Sequence, residues 1–541
     1  MERPARLESD PTRRRPRFRM VIPAYPAFNI YSRIAQGMTA LGPVSVATAA
    51  HELAGWDVEI VDENNYRRSG PRDKEGLPDH ETLQRLRPAD VVGLYGGLTS
   101  TIPRLYRIAR FYQGLGVLTI AGGQHFIEEN IPEALRSGVD VVAIGEGEET
   151  IKELLEAWEK ERPFREIRGI AFLENNRMVL TAARDPITDF DRLPLPDFSL
   201  VRYSKIRIYP IGRVRGCGMD CEFCTVKGKA RFARPERLVE HIATLYETYG
   251  AKQFFIVDDL FGQDRKETLR LCRLLKEYRE RVRARIRLAV QIRLDKAKDP
   301  ELLQAMGEAG IFAVAIGFES PIPEELKAMN KRLKPEEMIE LSRRFFEAGF
   351  LVHGMFIFGY PMAEGIDFRM SAKERVGHFQ KFIRQARLDT VQVMLPIPLP
   401  GTAFTKRLQA QNRVFPRELI GWEYYDGNFP LIIPDPPLTP EDLHASVKQL
   451  MGSFYGFRNM FRIGLNILSF PMLLFYLHNL RRGWKRWYRI WTDDLTRFGG
   501  WIIMQRWLAA FRKSPFPQKM AHAKELLSRS WNESPQRQPG V

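Results

Sequence analysis

The stretch GCGMDCEFCTVKG, residues 216–228, decides how this sequence is interpreted, because it holds three of the chain's four cysteines. Cys217, Cys221 and Cys224 follow one another at intervals of four and three residues. The glycines on either side of the first cysteine allow the backbone to turn tightly. A loop of this kind can direct three thiolates toward one compact object, either a zinc ion with a fourth ligand or an iron–sulfur cluster.

The choice between zinc and a cluster depends on the other ligands that the sequence offers. Structural zinc usually takes four ligands from paired cysteine motifs, and the sequence has no second pair. The remaining cysteine, Cys272, lies in the helical pattern ETLRLCRLLKEY with its apolar side inward, so we expect it in the core. Three cysteines on a four-iron cluster leave one iron open, as a catalytic cluster requires. The cluster is therefore favoured, and zinc stays the alternative.

Composition and charge describe an ordinary globular protein. The 541 residues are 44% hydrophobic and 27% charged, and they leave room for about two to four domains. Four cysteines do not make a disulfide framework, and the N-terminal MERPARLESDPTRRRPRFR has no apolar core for a signal peptide, so we predict a cytoplasmic protein. The net charge of +16 favours an acidic partner, which is nucleic acid, an anionic membrane surface or a phosphorylated substrate.

Ahead of the cysteine loop, short apolar runs alternate with amphipathic helices. The runs FRMVIPAYP, DVEIVDE, ADVVGLYGG, VLTIAGGQH and DVVAIGEGE are typical of buried strands. They predict an α/β fold with a doubly wound, Rossmann-like parallel sheet over residues 20–165, after a flexible basic leader at 1–19. Such sheets bind ligands at the carboxyl ends of their strands, where this sequence has the loops PAYPA, GGLTS, GGQH and GEGE.

The rest of the chain divides into four further segments. Residues 166–200 combine a β-hairpin with an Asn-Asn turn and a Pro- and Asp-rich linker. A second β/α series of six strands over 201–414 predicts a partial β/α barrel of TIM type, since a closed barrel needs eight strands. Residues 415–512 are helical, basic and aromatic in pattern, and 513–541 have the composition of a disordered tail.

The cysteine spacing CxxxCxxC, with Phe223 just before the last cysteine, resembles the cluster loop of the radical S-adenosylmethionine (SAM) enzymes. Its position after the first strand of a β/α series also resembles that family. The resemblance implies a 4Fe-4S cluster on Cys217, Cys221 and Cys224, with the amino and carboxylate groups of SAM on the open iron. An external low-potential electron donor would then drive the cleavage of SAM to a 5′-deoxyadenosyl radical.

Later strands resemble the same family in order and spacing. The resemblance places Asp258 and Asp259, in FIVDDLFGQD, near the SAM amino group, and adds further candidate SAM contacts at Phe223, Arg293, Glu319 and Ser320. The segments GMFIFGYP and PLPGT resemble the fifth and sixth strands of the family. A strand-terminal acid can instead cap the following helix, so the ordered set carries the assignment and no single residue does.

A doubly wound domain placed before such a barrel resembles the cobalamin-binding (B12-binding) subgroup of radical SAM enzymes. The residues that carry this resemblance, and that it implies as cobalamin contacts, are Gly96, Gly97, Thr99, Ser100, Gly122, Gly123, Gly145 and Glu146. The loop PAYPAFNIYSR lacks the histidine of the Asp-x-His-x-x-Gly motif, so the cobalamin would not be histidine-ligated. The alternative is a domain that keeps the fold without the cofactor. We expect His125, in GGQH, to be a surface-loop residue with a structural or incidental role.

The tail between Arg462 and Arg481 contains an uncharged run, IGLNILSFPMLLFYLHNL, followed by RRGWKRWYRIW at 481–491. Tryptophans on one face and basic residues on the rest predict a helix lying on an anionic membrane, at the inner face of the cytoplasmic membrane. FGGWIIMQRWLAAF, at 498–511, is a second such stretch. The alternatives are a helix that closes the barrel and an RNA-binding face, but a long uncharged run fits nucleic acid poorly.

Taken with the resemblance, these features predict an enzyme that methylates an unactivated carbon with SAM and cobalamin. Membrane attachment would suit a hydrophobic substrate, such as an isoprenoid or hopanoid-like lipid. Cyclisation, C–C coupling or oxidation without methyl transfer is one alternative, and RNA modification is another. A cluster or cobalamin redox sensor is the alternative without catalysis.

Overall fold

The computed structural model describes residues 15–29, 31–226, 228–456, 461, 495, 498–509 and 513–533. The chain divides into two compact units, and neither is continuous in sequence. The first contains the chain up to Pro26 with Ile34–Arg215 and Ala230–Val257. The second contains Ala27–Arg33, Gly216–Lys229 and the chain from Asp258 onward.

An eight-stranded sheet forms the first unit, and its core order confirms the predicted doubly wound architecture. Strands β2, β1, β3, β4 and β5 lie side by side in that order and run parallel, with β8 beside β2 and the antiparallel β6 and β7 at the other edge. The strands are β1 (Arg17–Ile22), β2 (Asp57–Asp62), β3 (Val91–Tyr95), β4 (Leu118–Gly122), β5 (Val141–Ala143), β6 (Ile170–Glu174), β7 (Arg177–Leu180) and β8 (Val201–Arg202). The order reverses between β1 and β3, the point where open α/β sheets bind their ligands.

Two boundaries of the first unit differ from the sequence predictions. β1 begins at Arg17, inside the range 1–19 predicted as a leader, because Arg17 pairs with Asp57 in the ladder. The range 166–200 contains the predicted hairpin, whose turn residues Asn175 and Asn176 have φ of 49° and 59°, as a two-residue type I′ turn requires. The rest of that range is not a loose linker, because two short 3-10 turns there are each capped by an aspartate.

A six-stranded parallel sheet confirms the predicted partial barrel. Its strands lie in the order β9, β12, β13, β14, β15 and β16, so strands that follow one another in this series are neighbours. They are β9 (Tyr209–Ile211), β12 (Gln253–Phe261), β13 (Arg287–Ile292), β14 (Ile311–Glu319), β15 (Leu351–Ile357) and β16 (Thr390–Met394). A separate two-stranded hairpin, β10 (Val214–Arg215) and β11 (Arg231–Phe232), is inserted between β9 and β12.

Amphipathic helices cover both sheets, and buried residues repeat along each helix at the period of one face. They are α1 (Tyr31–Ile34), α2 (Leu41–His51), α3 (His80–Leu86), α4 (Ile102–Gly114), α5 (Ile131–Arg136), α6 (Glu148–Glu159), α7 (Pro235–Tyr249), α8 (Arg265–Val282), α9 (Pro300–Ala309), α10 (Pro323–Ala328), α11 (Pro335–Glu347), α12 (Ala372–Gln385), α13 (Ala403–Ala410), α14 (Arg417–Ile420) and α15 (Pro440–Phe454), with further helix at 498–509 and α16 (Phe516–Glu533). Cys272, on α8, is 1% exposed, which confirms its prediction as a core residue.

The C-terminal region is helical where the structure describes it, but one prediction for it is wrong. The range 513–541 was expected to be disordered, whereas α16 occupies Phe516–Glu533. Its first residue explains this: Phe516 is 2% exposed and packs on the rings of Tyr424 and Phe429 at 5.0 and 4.7 Å. The uncharged run 463–480 and the basic, aromatic stretch 481–491 lie outside the described residues. Within the described ranges, no helix is long and apolar enough to cross a membrane.

Candidate functional site

The three clustered cysteines lie on the loop that joins β10 to β11. The two strands pair antiparallel, with Arg215 opposite Arg231, so the loop starts and ends at the same place. Gly216 has a φ of 86°, and a Cβ added to it would lie 2.6 Å from the Lys229 carbonyl oxygen. The Gly218 amide donates to the Gly228 carbonyl oxygen at 3.0 Å. Glycine is therefore required where the loop leaves β10, as the sequence indicated.

The thiols of this loop are close enough to influence one another. Cys217, Cys221 and Cys224 are all half-buried, and the Cys224 amide donates to the Cys221 carbonyl oxygen at 3.2 Å. Burial raises the pKa of the Cys221 thiol, Lys331 partly offsets this, and the two other thiols raise the pKa further. Three thiols on one short loop fit an iron–sulfur cluster by their chemistry. Within the described ranges, no three His, Cys, Asp or Glu side chains are placed to hold a single metal ion.

Backbone groups of the cysteine loop are held by side chains from neighbouring elements. Asp259, near the end of β12, accepts the Gly216 amide at 2.7 Å. Gln263, just after β12, donates to the Cys217 carbonyl oxygen at 2.5 Å. Asn330, after α10, donates to the Asp220 carbonyl oxygen at 2.9 Å. These bonds fix the backbone at both ends of the first Cys-to-Cys interval, so the loop conformation does not depend on the thiols alone.

Glu222, between the second and third cysteines, anchors the loop in a way that the sequence reasoning missed. Its carboxylate accepts two bonds from Arg407, from Nε at 2.7 Å and Nη2 at 3.0 Å, and one from the Tyr360 hydroxyl at 2.7 Å. Phe223 packs against the Tyr360 ring at 6.2 Å, on a core cluster that also contains Phe404. The structure therefore places Phe223 in a packing contact. The sequence did offer one indication: a charged residue between Cys221 and Cys224 is expected to need a partner of opposite charge.

Three of the predicted SAM-contact residues lie near the carboxyl ends of β12 and β13. Asp258 is 3% exposed, and its neighbour Asp259 holds the Gly216 amide. Arg293, just after β13, donates from Nε to Asp295 at 2.9 Å and lies 2.7 Å from the Met219 sulfur. The structure thus brings Asp259 and Arg293 into contact with the cysteine loop and buries Asp258; their contact with SAM stays a prediction.

The other predicted pair, Glu319 and Ser320, separates into two environments. Glu319, the last residue of β14, forms an ion pair with Lys331 at 2.8 Å. Ser320 is fully buried, and its hydroxyl donates to Glu325, which is itself paired with the buried Arg375. Burial raises the pKa of Glu325 to about 7, against the pull of Arg375. The Ser320 hydroxyl therefore belongs to an internal network. Glu319 is instead linked to the cysteine loop by its ion pair with Lys331, whose neighbour Asn330 bonds to Asp220 of that loop.

Glycines at the ends of β3 and β4 let two loops of the first unit approach closely. A Cβ on Gly123, whose φ is 128°, would lie 2.6 Å from the Gly96 carbonyl carbon. One on Gly97 would lie 2.1 Å from the Tyr95 ring, whereas one on Gly122 would meet Ala143 at an ordinary 3.5 Å. This strip of backbone without side chains lies at the carboxyl ends of β3 and β4, next to the reversal point between β1 and β3, and fits a large flat ligand such as cobalamin.

The polar residues of those two loops are buried beneath the glycines. Thr99 and Ser100 are 6% and 4% exposed. His125 was expected on the surface, but it is 2% exposed, and its Nδ1 lies 3.3 Å from the Thr99 hydroxyl. Its amide also donates to the Gly96 carbonyl oxygen at 3.0 Å. The structural role predicted for this histidine is confirmed, and its predicted surface position is wrong.

The loop after β5 is bound to the base of the cysteine hairpin. Gly145 has a φ of 87°, and the next residue, Glu146, accepts Arg215 and Arg231 at 2.8 Å each and the Ile187 amide at 2.7 Å. Burial would raise the pKa of Glu146, but these hydrogen bonds hold it below its usual range. The structure therefore gives Glu146 a set of partners from its own chain, and its carboxylate fastens both strands that carry the cysteine loop.

Comparison with known families agrees with both halves of this description. A model of the Radical SAM superfamily matches residues 211–373, and a model of the B12 binding domain matches residues 30–155. The chain therefore combines a Radical SAM domain with a B12 binding domain. Its cofactors are a 4Fe-4S cluster, SAM and cobalamin, and the residues at the cysteine loop and at the glycine strip fit the cluster and the cobalamin.

Individual relatives are distant. The chain is 27% identical over 379 residues to an uncharacterized methyltransferase, PH0819, of Pyrococcus horikoshii, which covers 68% of this chain and 78% of that protein. It is 29% identical over 244 residues to the hopanoid C-2 methylase of Rhodopseudomonas palustris, with 44% of each chain covered. The solved structure of the cobalamin-dependent S-adenosylmethionine radical enzyme OxsB with aqua-cobalamin bound has the same fold, with a TM-score of 0.61 at 15% identity over 96% of this chain and 84% of that one.

Proposed function

We propose that this protein transfers a methyl group to an unactivated carbon of a hydrophobic, lipid-like substrate. The observation that carries the proposal is the presence, in one chain, of a loop with three interacting thiols and of a doubly wound domain with a glycine strip at the carboxyl ends of β3 and β4. The two relatives named above are called a methyltransferase and a hopanoid methylase, which supports methyl transfer over other radical chemistry.

Holding the three thiolates in a fixed arrangement is the first task of the chain's own residues. Asp259 and Gln263 fix the backbone of Gly216 and Cys217, and Glu222 fixes the far side of the loop through Arg407. The bonds to the Asp259 and Glu222 carboxylates are charge-assisted and are therefore among the stronger hydrogen bonds. The loop is therefore suited to a centre that gains and loses an electron during each turnover.

Binding the small cofactors is the second task. When bound, the cluster and SAM supply a carbon radical that abstracts hydrogen, and cobalamin supplies the methyl group. We assign Asp258, Asp259, Arg293 and Glu319 to the polar surroundings of SAM, since carboxylates suit its amino group and a guanidinium suits its carboxylate. The glycine strip lets the backbone approach the corrin, and the loop PAYPAFNIYSR offers no histidine to the cobalt.

A membrane location would bring the enzyme to a lipid substrate. The support is the sequence of 481–491, where Trp484, Trp487 and Trp491 repeat at helical spacing among five basic residues and no acidic one. We propose peripheral contact with an anionic leaflet. Alanine at the three tryptophans should weaken sedimentation with vesicles containing phosphatidylglycerol and leave a zwitterionic control unchanged; undiminished sedimentation would remove the membrane proposal.

The experiment that tests methyl transfer measures both products of SAM. The protein is reconstituted anaerobically with iron, sulfide and hydroxocobalamin, then reduced and given SAM with a deuterated methyl group and a lipid extract. Methylation consumes SAM twice, so 5′-deoxyadenosine and S-adenosylhomocysteine should form in comparable amounts and deuterium should enter the lipid fraction. Cys221→Ala should abolish 5′-deoxyadenosine, whereas Cys272→Ala, which removes a core thiol away from the loop, should retain it.

Each of the other outcomes selects a different function. 5′-Deoxyadenosine without S-adenosylhomocysteine would support cyclisation, coupling or oxidation and refute methyl transfer. Deuterium in added RNA in place of lipid would move the substrate to nucleic acid. A fully loaded protein that forms neither product would refute catalysis and support a sensor.

A further inference from the structure

Lys331 places a buried positive charge beside the cysteine loop, and neither the sequence motif nor the family resemblance assigned it a role. Its side chain is 21% exposed, and its Nζ lies 2.8 Å from Oε1 of Glu319, whose side chain is 11% exposed. The positive charge of Lys331 acts on the Cys221 thiol and lowers its pKa. A lysine that is largely withdrawn from water needs a reason to be there, since burial of an ammonium is costly.

The backbone of β14 is distorted so that Glu319 can reach Lys331. The pairing of β14 with β15 slips between Gly317 and Glu319, and Glu319 has a φ of 62°, in the left-handed region that non-glycine residues rarely occupy. A Cβ on Gly317 would lie 2.4 Å from Oε1 of Glu319 and 3.5 Å from Nζ of Lys331. The carboxylate thus folds back over a position that must be glycine. Strain of this kind persists only where the surroundings hold it in place.

The segment that carries Lys331 is fastened to the cysteine loop at two points. The Met329 carbonyl oxygen accepts the Glu222 amide at 3.3 Å, and Asn330 donates to the Asp220 carbonyl oxygen at 2.9 Å. These two contacts bracket Cys221 in the sequence of the loop. The ammonium therefore keeps a fixed position relative to that cysteine, and any movement of the loop would carry the lysine with it.

The electrostatics of the site agree with this geometry. Burial alone would lower the pKa of Lys331, but Glu319 and the Cys221 and Cys224 thiols raise it above its ordinary value. The lysine therefore stays charged at neutral pH. Its charge interacts with the Cys221 and Cys224 thiols and with the oppositely charged Glu319.

We infer that Lys331 is a positioning residue that raises the reduction potential of the cluster held by Cys217, Cys221 and Cys224, and that Glu319 limits this effect. The inference rests on the cluster of the proposed function. Reduction adds one electron, supplied by the external low-potential donor, and makes the cluster one unit more negative without forming or breaking a bond at Lys331. A nearby ammonium stabilises the more negative state, and a nearby carboxylate disfavours it.

The test compares two neutralising substitutions that should act in opposite directions. Full-length protein is reconstituted anaerobically without SAM, and the midpoint potential is measured by a redox titration followed by electron paramagnetic resonance. Lys331→Gln should shift the potential to a lower value, and Glu319→Gln should shift it to a higher value. Lys331→Arg keeps the charge and should stay close to the wild type. Lys334→Gln, an exposed lysine of the same segment, serves as the matched control and should also stay close.

Opposite shifts for the two neutral variants are the result that a merely structural ion pair would not give. If both variants shift the potential in the same direction, or neither shifts it, the inference is wrong. Iron and sulfide are counted in every sample, so that loss of cluster is not mistaken for a shift. If Lys331→Gln does not bind a cluster, the inference is still tested by the direction in which Glu319→Gln shifts the midpoint potential. Absence of a cluster from the wild type would instead refute the proposed function.

Discussion

Gly216 is the position where a single added methyl group should do most harm to the cluster loop. Its φ of 86° costs a non-glycine residue about 1–2 kcal/mol. The added Cβ would also lie 2.6 Å from the Lys229 carbonyl oxygen, about 0.8 Å inside an ordinary contact. Overpacking of this kind costs about 1–3 kcal/mol further, and the backbone shift that relieves it would disturb the bond from the Gly216 amide to Asp259.

The matched variant separates the two costs. Gly228 has a similar φ of 84°, but a Cβ there would meet nothing within 4 Å. Gly228→Ala should therefore carry the backbone cost alone. The additional clash in Gly216→Ala corresponds to about 5- to 150-fold weaker retention of the cluster. The assay is iron and acid-labile sulfide per chain after anaerobic reconstitution and challenge with increasing chelator. If Gly216→Ala retains as much iron as Gly228→Ala, the close approach between the two ends of the loop does not determine how firmly the loop binds the cluster.

Three further predictions concern the residues around the site. Glu222→Gln replaces a half-buried, bidentate partner of Arg407, and should cost about 2 kcal/mol in denaturant unfolding and lower the iron content; unchanged values for both would contradict the anchoring role. Burial raises the pKa of Asp426 from 3.8 to about 7. Because the folded protein then holds the proton more tightly than the unfolded chain, ionisation of Asp426 disfavours folding as the pH rises. The wild type should therefore lose about 3 kcal/mol of its free energy of unfolding between pH 5 and pH 8. Asp426→Asn should remove that loss, and an equal pH dependence in the variant would refute it. Gly123→Ala should reduce bound corrinoid far more than Gly122→Ala, because only the former meets backbone inside 3 Å; equal losses would show that the glycine strip is not needed.

Hydrophobic periodicity was sufficient to predict both sheets, because strands buried on both faces leave uninterrupted apolar runs between amphipathic helices. The loop glycines and the thiols were identified from their spacing in the sequence. Periodicity gave no boundary at Arg17, because a charged residue at the start of a strand resembles the basic leader before it. It also gave no helix at Phe516–Glu533, since the short apolar pattern there becomes stable only when Phe516 packs on Tyr424.

Partners far apart in sequence explain most of what was missed at the site. Glu222 and Arg407 are 185 residues apart, and nothing local to either residue indicates the other. Lys331 lies within residues 211–373, which the Radical SAM model matches, but its ion pair depends on the left-handed backbone of Glu319. Such a conformation cannot be deduced from a glutamate in an apolar run. The resemblance supplied residue types in the right order, and the side-chain partners required three-dimensional contacts.

The interleaved composition of the two units limits how this protein can be taken apart. A fragment ending near residue 200, where the sequence suggests a boundary, would lose β8, β9 and all of β12. The first unit contains β8, β9 and the part of β12 up to Val257. The complementary fragment would lack Ala27–Arg33, which the second unit contains. A chimera made by joining this chain to a relative at the Pro- and Asp-rich stretch would leave each unit without some of its own segments. Exchange of substrate preference between such enzymes should therefore succeed by replacing loops within an intact chain, and not by recombining halves.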